Sequence, residues 1–421
     1  MGLGFFLNLL RNPCYGNGFS AFLCSFVIFD ADFKLNGCLM GYLANTFLLI
    51  AFIFSVNVYA ECVDDDCKNG KGEYLWDEQL TMSSAHLDED KKISKIAFGS
   101  CGDPYKDMTI WNTIAEEEPN LFLYLGDNVY QTEEKNRPDL FELKEAYYRL
   151  ANNSDFKSLR AKTPVLTIWD DHDYGLNDAG GDWPYKFNSQ QLFYEAWAIK
   201  DEDPRLSRDG IYHSVLLGPS DKNVHIILLD TRFFRSPLKK TDQMGARYKE
   251  RYVSDNDPKK TMLGQQQWEW LEEQLKVPAR LRLIVSSIQI IANGHGWEAW
   301  RTLPNERQKL YQLITDSEAT ATVFLSGDRH SAAIYEEDEN LPFTVTEVTS
   351  SSLNVPLTSF VKNIQDEPGP NRIGKPFYQA NYGLIEIDWE SNTVNLSIKN
   401  DSSKTVRSKR VHLGTLDYKA H

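Results

Sequence analysis

Four short apolar runs in this chain each end in a turn that carries metal-ligand side chains, and this repeated arrangement constrains the fold more than any other feature. Residues 95–98 run into Gly99-Ser100-Cys101-Gly102-Asp103, 121–125 into Gly126-Asp127-Asn128-Val129-Tyr130, 165–169 into Asp170-Asp171-His172-Asp173, and 322–325 into Ser326-Gly327-Asp328-Arg329-His330. Short runs of β-branched, aromatic and aliphatic residues between polar turns are the pattern of buried strands in an α/β layered fold. Functional side chains of such folds collect at the carboxyl ends of the strands, where loops converge. The four motifs therefore deliver Cys, Asp, Tyr and His to one rim, and Gly99, Gly126 and Gly327 let the backbone turn sharply beside them.

The rest of the chain supports the same class. Further strands are expected over 224–229 and 282–287, and helices over 108–117, 139–151, 189–199, 265–275 and 305–316, so the two element types alternate from residue 93. Beyond Asp328 the balance shifts, because 343–349, 383–388 and 394–398 read as strands with little helix between them. That predicts a closing β-rich layer. Trp268 and Trp270 fall in the expected helix over 265–275 and read as packing residues, and His213, His225 and His412 lie in no motif and read as structural. The acidic run Glu336-Glu337-Asp338-Glu339 reads as solvated surface.

With 421 residues, 42% hydrophobic, the chain can bury one large core or two modest ones. Its net charge of −15 argues against a nucleic-acid-binding surface, which needs clustered Lys and Arg to displace counterions. Apolar stretches at 19–29 and 43–58 precede Val58-Tyr59-Ala60 and the polar run from Glu61. Residues 1–60 are thus expected to be an upstream segment with a signal peptide, starting functionally at Met40 and cleaved after Ala60. The other reading is a transmembrane anchor, since the second stretch approaches the ~20 residues that span a bilayer. The protein is accordingly expected to be secreted, periplasmic or at the cell surface, and membrane-anchored where the segment is retained. Residues 61–92 read as a linker and 93–421 as the catalytic domain. Cleavage removes Cys14, Cys24 and Cys38, leaving Cys62 and Cys67 spaced for a disulfide and Cys101 alone.

The three carboxylates crowded beside a histidine at 170–173 repel one another unless something compensates them. A cation does so economically. An exposed acidic turn is the alternative for this motif taken alone, and it loses weight when all four motifs occupy the same strand-end context. Thiolate, phenolate and imidazole from Cys101, Tyr130 and His330 favour a transition ion, whereas clustered carboxylates suit calcium, magnesium or manganese. A mixed two-metal site with Asp127 as the bridge follows, able to hold a phosphate and activate water. Arg232 and Arg235 are candidates to clamp a phosphate, against surface salt bridging as the alternative. Asn128 and His295 are candidate substrate contacts, although a lone loop histidine is more often inert.

In order and spacing these motifs, with Leu-Asp-Thr-Arg at 229–232 and Pro-x-Glu-Arg at 304–307, resemble the alkaline phosphatase D-like (PhoD-like) metallophosphatases, relatives of the calcineurin-like and purple acid phosphatases. The resemblance runs from about residue 93 to about residue 390. It implies a two-layer mixed β-sheet sandwich flanked by helices, hydrolysing phosphate mono- or diesters with Fe3+ and Ca2+, or with Mn2+, Mg2+ or Zn2+ in their place. Carried over, Cys101, Asp127, Tyr130 and His330 look like iron ligands. Asp171 and Asp328, assisted by Asp170, look like ligands of the second ion. His172 would contact the phosphate or protonate the leaving group, oriented by Asp173, with Arg232 beside them. Asp171 stands where relatives use Asn and Asp328 where they use His, and Ser286-Ser287-Ile288-Gln289 lacks the mid-chain His of zinc-binding relatives. The second site is therefore oxygen-rich. A phosphoester substrate and a monomer are expected. A phospholipase C-like enzyme on lipid or polymer diesters and a non-catalytic metal-binding surface protein are the alternatives.

Overall fold

Alternation within the apolar runs decides how the sheets stack. In the computed structural model, residues 79–131, 138–359 and 367–413 are described. In chain order the strands are β1 (Lys95–Gly99), β2 (Leu121–Leu125), β3 (Val165–Ile168), β4 (His213–Leu217), β5 (Val224–Leu228), β6 (Leu281–Ser286) and β7 (Thr322–Ser326). They continue with β8 (Ala332–Glu337), β9 (Val345–Ser350), β10 (Arg372–Phe377), β11 (Asn381–Asp388), β12 (Thr393–Asn400) and β13 (Thr405–His412). The helices are α1 (Ile110–Glu116), α2 (Phe141–Asn152), α3 (Ser154–Arg160), α4 (Asp171–Tyr174), α5 (Lys186–Ala196), α6 (Gly264–Leu275) and α7 (Pro304–Asp316).

One sheet has the order β13-β12-β11-β1-β2-β3 and the other β10-β8-β9-β7-β6-β5-β4. Both are mixed: β1, β2 and β3 run parallel, as do β5, β6, β7 and β9, and the remaining pairings are antiparallel. The expected sandwich of two mixed sheets with flanking helices is what forms. Successive side chains of a strand point to opposite faces, and the second sheet shows the result. Val224, Ile226, Leu228, Leu283, Val285, Val323 and Leu325 join the core shared with the first sheet. Ile227, Leu229, Ile284 and Phe324 face the other way, into a second core with Trp268 and Leu271 of α6 and Leu310 and Ile314 of α7. Trp268 is the packing residue expected of it.

Every run expected as a strand is one, and the strands not foreseen are β4, β8, β10 and β13. Three of these are sheet edges, where charged and polar residues blunt unwanted pairing and so erase the apolar signal. β13, for instance, reads Thr-Val-Arg-Ser-Lys-Arg-Val-His. Nor do the late strands close the fold as one layer. β8, β9 and β10 extend the second sheet, whereas β11, β12 and β13 extend the first through the antiparallel pairing of Phe98 with Gly383. A Cβ at Gly383 would lie 2.1 Å from the Phe98 ring, so that junction depends on glycine.

The segment 79–92, expected as the end of a linker, is instead laid onto the domain. Leu80 and Met82 are buried in the core, and Met82 N–H donates to Ala196 O at 2.6 Å. The expected signal peptide or anchor and the Cys62–Cys67 pair lie outside the described residues. Among the described residues no helix is long and apolar enough to cross a membrane.

Candidate metal centre

The site is built on turns in an uncommon backbone conformation. Cys101 after β1 and Asp127 after β2 have φ of 59° and 49°, and Asp328 and His330 after β7 have φ of 68° and 50°. That left-handed region costs a residue other than glycine roughly 1–2 kcal/mol. Bonds between the loops hold it: Cys101 N–H donates to Gly126 O at 3.4 Å, Gly102 N–H to Asp127 O at 2.9 Å, and His330 N–H to Ser351 Oγ at 2.7 Å. After β3 the chain enters the helical turn α4 directly, so Asp170, Asp171 and Asp173 are all buried.

Three clusters of side chains have ligand atoms within 4.8 Å of one another: Cys101, Asp127 and His330; Asp127, Asp171 and His172; and Asp171, Asp178 and Glu298. Asp127 thus belongs to two of them. Its Oδ2 lies 3.3 Å from Cys101 Sγ and accepts from Tyr130 Oη at 3.0 Å, so Tyr130 joins the first cluster. The rings of Tyr130 and His172 have centroids 4.3 Å apart. His330 Nδ1 lies 2.6 Å from Val355 O, which makes Nδ1 the protonated nitrogen and leaves the Nε2 lone pair as the ligand-type atom. Asp170 and Asp328 stand outside the three clusters, although the charges of Asp170 and Asp171 act on Asp328.

Cation fit is tested by the carboxylate oxygens. Asp127 Oδ1, Asp170 Oδ2 and Asp171 Oδ1 are buried and have no hydrogen-bond partner among the described residues. A buried oxygen of this kind is costly unless a proton or cation meets it. Burial, then the charge of Asp171, pushes the Asp127 carboxyl well above the usual range, and burial, then Asp170, does the same to Asp328. Burial pushes Asp170 up to about 6 against the opposing pull of Arg232. For Asp171 burial acts upward too, but His172, Arg232 and the Asp178 N–H together hold it well below the usual range. Burial and Asp127 raise the Cys101 thiol, and burial lowers His330 to about 4, so it is a neutral imidazole at pH 7. These groups cannot all be in their ligand forms without positive charge among them. The donor set fits two cations, one on the sulfur, nitrogen and phenol side and one on the carboxylate side.

Other expected residues are placed differently. Asp173, expected to orient His172, gives its carboxylate to the loops: Oδ1 accepts from the N–H groups of Asp170 at 2.6 Å and Asp127 at 3.2 Å. Its Oδ2 accepts from Asn128 N–H at 3.4 Å and from the Asn128 amide. Asn128 also donates to Ile168 O at 2.8 Å, so this side chain ties β3 to the loop after β2. Surface salt bridging by Arg232 and Arg235 is excluded, because both are buried. Arg232 contacts Asp170 Oδ1 through Nε at 2.6 Å and Nη2 at 2.5 Å. Its Nη1 lies 2.7 Å from Glu298 Oε2, and Arg235 Nη2 lies 3.0 Å from Glu298 Oε1. His295 does not sit in an open loop: it is buried, with Nε2 2.9 Å from Gln289 Oε1 and Nδ1 accepting from Trp297 N–H at 3.1 Å.

Sequence reasoning missed Glu298, Asp178, Ser287 and Ser351. Ser351 Oγ lies 3.1 Å from Cys101 Sγ, and Ser287 Oγ donates to Asp170 Oδ1 at 2.5 Å. The serines do carry a signal, since both follow strands, β9 and β6. Glu298 and Asp178 have none beyond lying among aromatics and glycines.

The family model described as PhoD-like phosphatase matches residues 96–397. Among solved structures the chain is similar to one described as the structure of PhoD, with 16% identity, a TM-score of 0.59, and 78% of this chain and 70% of that one covered. It also matches GAP50, described as the anchor in the inner membrane complex of Plasmodium, at 16% identity and a TM-score of 0.46, covering 78% of this chain and 90% of that one. At 16% identity the likeness to the PhoD structure is one of fold. No curated protein matches the chain by sequence.

Proposed function

Because this chain belongs to the PhoD-like phosphatase family, we propose that its phosphoesterase chemistry depends on two metal ions sharing Asp127. The observation that carries this reading is the set of buried carboxylate oxygens on Asp127, Asp170 and Asp171 that lack a hydrogen-bond partner, beside a thiol and a neutral imidazole. Cys101, Asp127, Tyr130 and His330 would hold a transition ion, iron being the first choice. Asp127, Asp171 and Asp328, with Asp170 close by, would hold an oxygen-seeking ion such as calcium, with magnesium, manganese or zinc as substitutes. Bound there, such ions hold phosphate oxygens, acidify water and offset the charge of the leaving oxygen.

The chain's own residues supply the rest. His172, packed on Tyr130, is the proton donor to the leaving oxygen, a role typically worth ~10²–10⁴ in rate. Asp173 keeps Asp127, Asn128 and Asp170 in register through the four N–H donors it accepts. Arg232 balances buried negative charge and holds Asp170. Mono- or diesters both suit these groups, and export by way of the N-terminal apolar segment, followed by action as a monomer, completes the proposal.

The test is hydrolysis of p-nitrophenyl phosphate and bis-p-nitrophenyl phosphate across pH, on protein whose metals are counted by elemental analysis. Two metals per chain and activity abolished by Asp127→Ala are expected, with the rate ratio choosing monoester or diester. Protein that hydrolyses either ester without bound metal would refute the centre. An intact mass of the exported protein that starts elsewhere than Glu61 would refute the cleavage.

A further inference from the structure

We propose that Glu298 is a positioning residue: its carboxylate holds Arg232 so that the guanidinium meets one oxygen of Asp170 and leaves the other for the cation. The inference rests on the metal-dependent reading above and extends it to a residue outside every motif that marks the site.

Glu298 is 2% exposed, in the segment Trp297-Glu298-Ala299-Trp300 that leads into a short 3-10 turn. A carboxylate taken out of water costs several kcal/mol unless it is paired and bonded, and here two arginines meet it. Arg232 approaches Oε2 at 2.7 Å and Arg235 approaches Oε1 at 3.0 Å. Arg235 is itself anchored, with Nη2 donating to the carbonyls of Asp178 at 2.6 Å and Ala179 at 2.9 Å. Its own carbonyl accepts from Gly181 N–H at 2.8 Å. A Cβ at Gly180 would lie 2.7 Å from that carbonyl, so glycine is what lets the two loops close on each other. Arg235 and Glu298 together form a fixed wall behind Arg232.

The consequence falls on Asp170. Left to itself, an arginine beside a carboxylate pairs fork to fork, with two parallel bonds that use both oxygens. In this structure Nη1 is drawn to Glu298 and to Ala179 O at 3.3 Å, so Nε and Nη2 converge on Oδ1 alone. Ser287 Oγ donates to that same oxygen as well, at 2.5 Å, beside the Nε hydrogen bond and the Nη2 ion pair. Asp170 Oδ2 stays buried without a partner among the described residues. Glu298 clusters with Asp171 and Asp178, and its two oxygens accept no hydrogen bond among the described residues, their contacts being the ion pairs to Arg232 and Arg235. Two arginines answer its charge, and Asp178 Oδ2 is answered by Arg251 at 2.5 Å and Tyr252 Oη at 2.8 Å.

The experiment is a titration of the chelator-treated full chain with Tb3+, an oxygen-seeking probe whose luminescence reports binding near tyrosine and tryptophan. Glu298→Gln is expected to raise the half-saturating Tb3+ concentration by ~10–100-fold, the usual loss when the partner of a metal-ligating carboxylate is removed. Made in an Arg232→Lys background, the same change is expected to shift it by less than about threefold, because the effect is routed through Arg232. Glu298→Asp keeps the charge but shortens the arm, and is expected to weaken binding in the direction of Glu298→Gln. Circular dichroism checks that each variant is folded. An unchanged half-saturation in Glu298→Gln, equal factors in both backgrounds, wild-type binding in Glu298→Asp, or no Tb3+ binding by the wild-type chain would each overturn the proposal. Should the wild-type protein hydrolyse neither ester, the functional reading fails while this titration still decides the role of Glu298.

Discussion

Stripped of metal, this protein should lose stability as the pH rises from 7 to 9. Burial holds the carboxyls of Asp127, Asp173 and Asp328 well above their ordinary range, whereas Glu298, pushed by burial up to about 7 despite Arg232 and Arg235, gives up its proton at the start of this window. In the unfolded chain carboxyls titrate near 4, so each of these three that keeps its proton above pH 7 is a proton bound by the native state and not by the unfolded one. Stability then falls by about 1.4 kcal/mol per pH unit for each such proton. The histidines act the other way but outside the window. His213, His225 and His330 fall to about 4 on folding, chiefly through burial, so their contribution grows as pH rises through the unfolded value near 6.5 and is complete by about pH 7. The buried Cys101 thiol is raised above 9.0 and adds a smaller loss in the same direction towards pH 9, where the unfolded thiol ionises, whereas the buried tyrosines, raised above 10.0, matter only at higher pH. One retained proton therefore costs about 2.7 kcal/mol between pH 7 and 9. At ~2 cal/mol/K per residue for roughly 300 residues, that is a drop in Tm of about 4 °C. Saturating divalent cation replaces the proton and should flatten the slope, releasing about one proton per site on binding at pH 8. Scanning calorimetry of chelated and cation-loaded protein at pH 7, 8 and 9, with titrations in two buffers of different ionisation enthalpy, measures both. A Tm of the chelated protein that holds or climbs from pH 7 to 9, or cation binding without proton release, would refute the reasoning.

Three substitutions address the centre directly. Cys101→Ser replaces the one soft ligand and should strip the transition ion while leaving the oxygen-seeking ion in place; retention of both ions by elemental analysis would remove Cys101 from the ligand set. His172→Asn should lower kcat by ~10²–10⁴ with both metals retained, whereas loss of a metal would make the imidazole a ligand rather than a proton donor. Gly126→Ala puts a Cβ 2.6 Å from the Asp170 Cβ at a backbone φ of +96°, and should cost about 1–3 kcal/mol in urea unfolding while displacing Asp170; an unshifted midpoint would show that the loop relaxes freely.

What the sequence by itself determined is local. An apolar run of four or five residues can only be buried, a glycine after it can only be a turn, and the ligand-type residue beyond that turn must then emerge at the strand end. Cys101, Asp127, Asp171 and His330 were legible for that reason, each within a few positions of its strand. The edge strands β4, β10 and β13 were not, because a strand with one exposed border needs little apolar patterning. Nor could the sequence reveal what surrounds the ligands. Ser351 reaches Cys101 across 250 positions and Ser287 reaches Asp170 across 117, distances set by the order β9-β7-β6 in one sheet and β1-β2-β3 in the other. Charge alone offers little local signal: a lone Glu298 reads as a solvated surface group, and Arg232, legible from its motif as a phosphate clamp, gives no sign of the carboxylates it meets until two loops close over it. Only the tertiary structure could decide that these charges are buried against one another, because desolvation is a property of the packed neighbours and not of the residue.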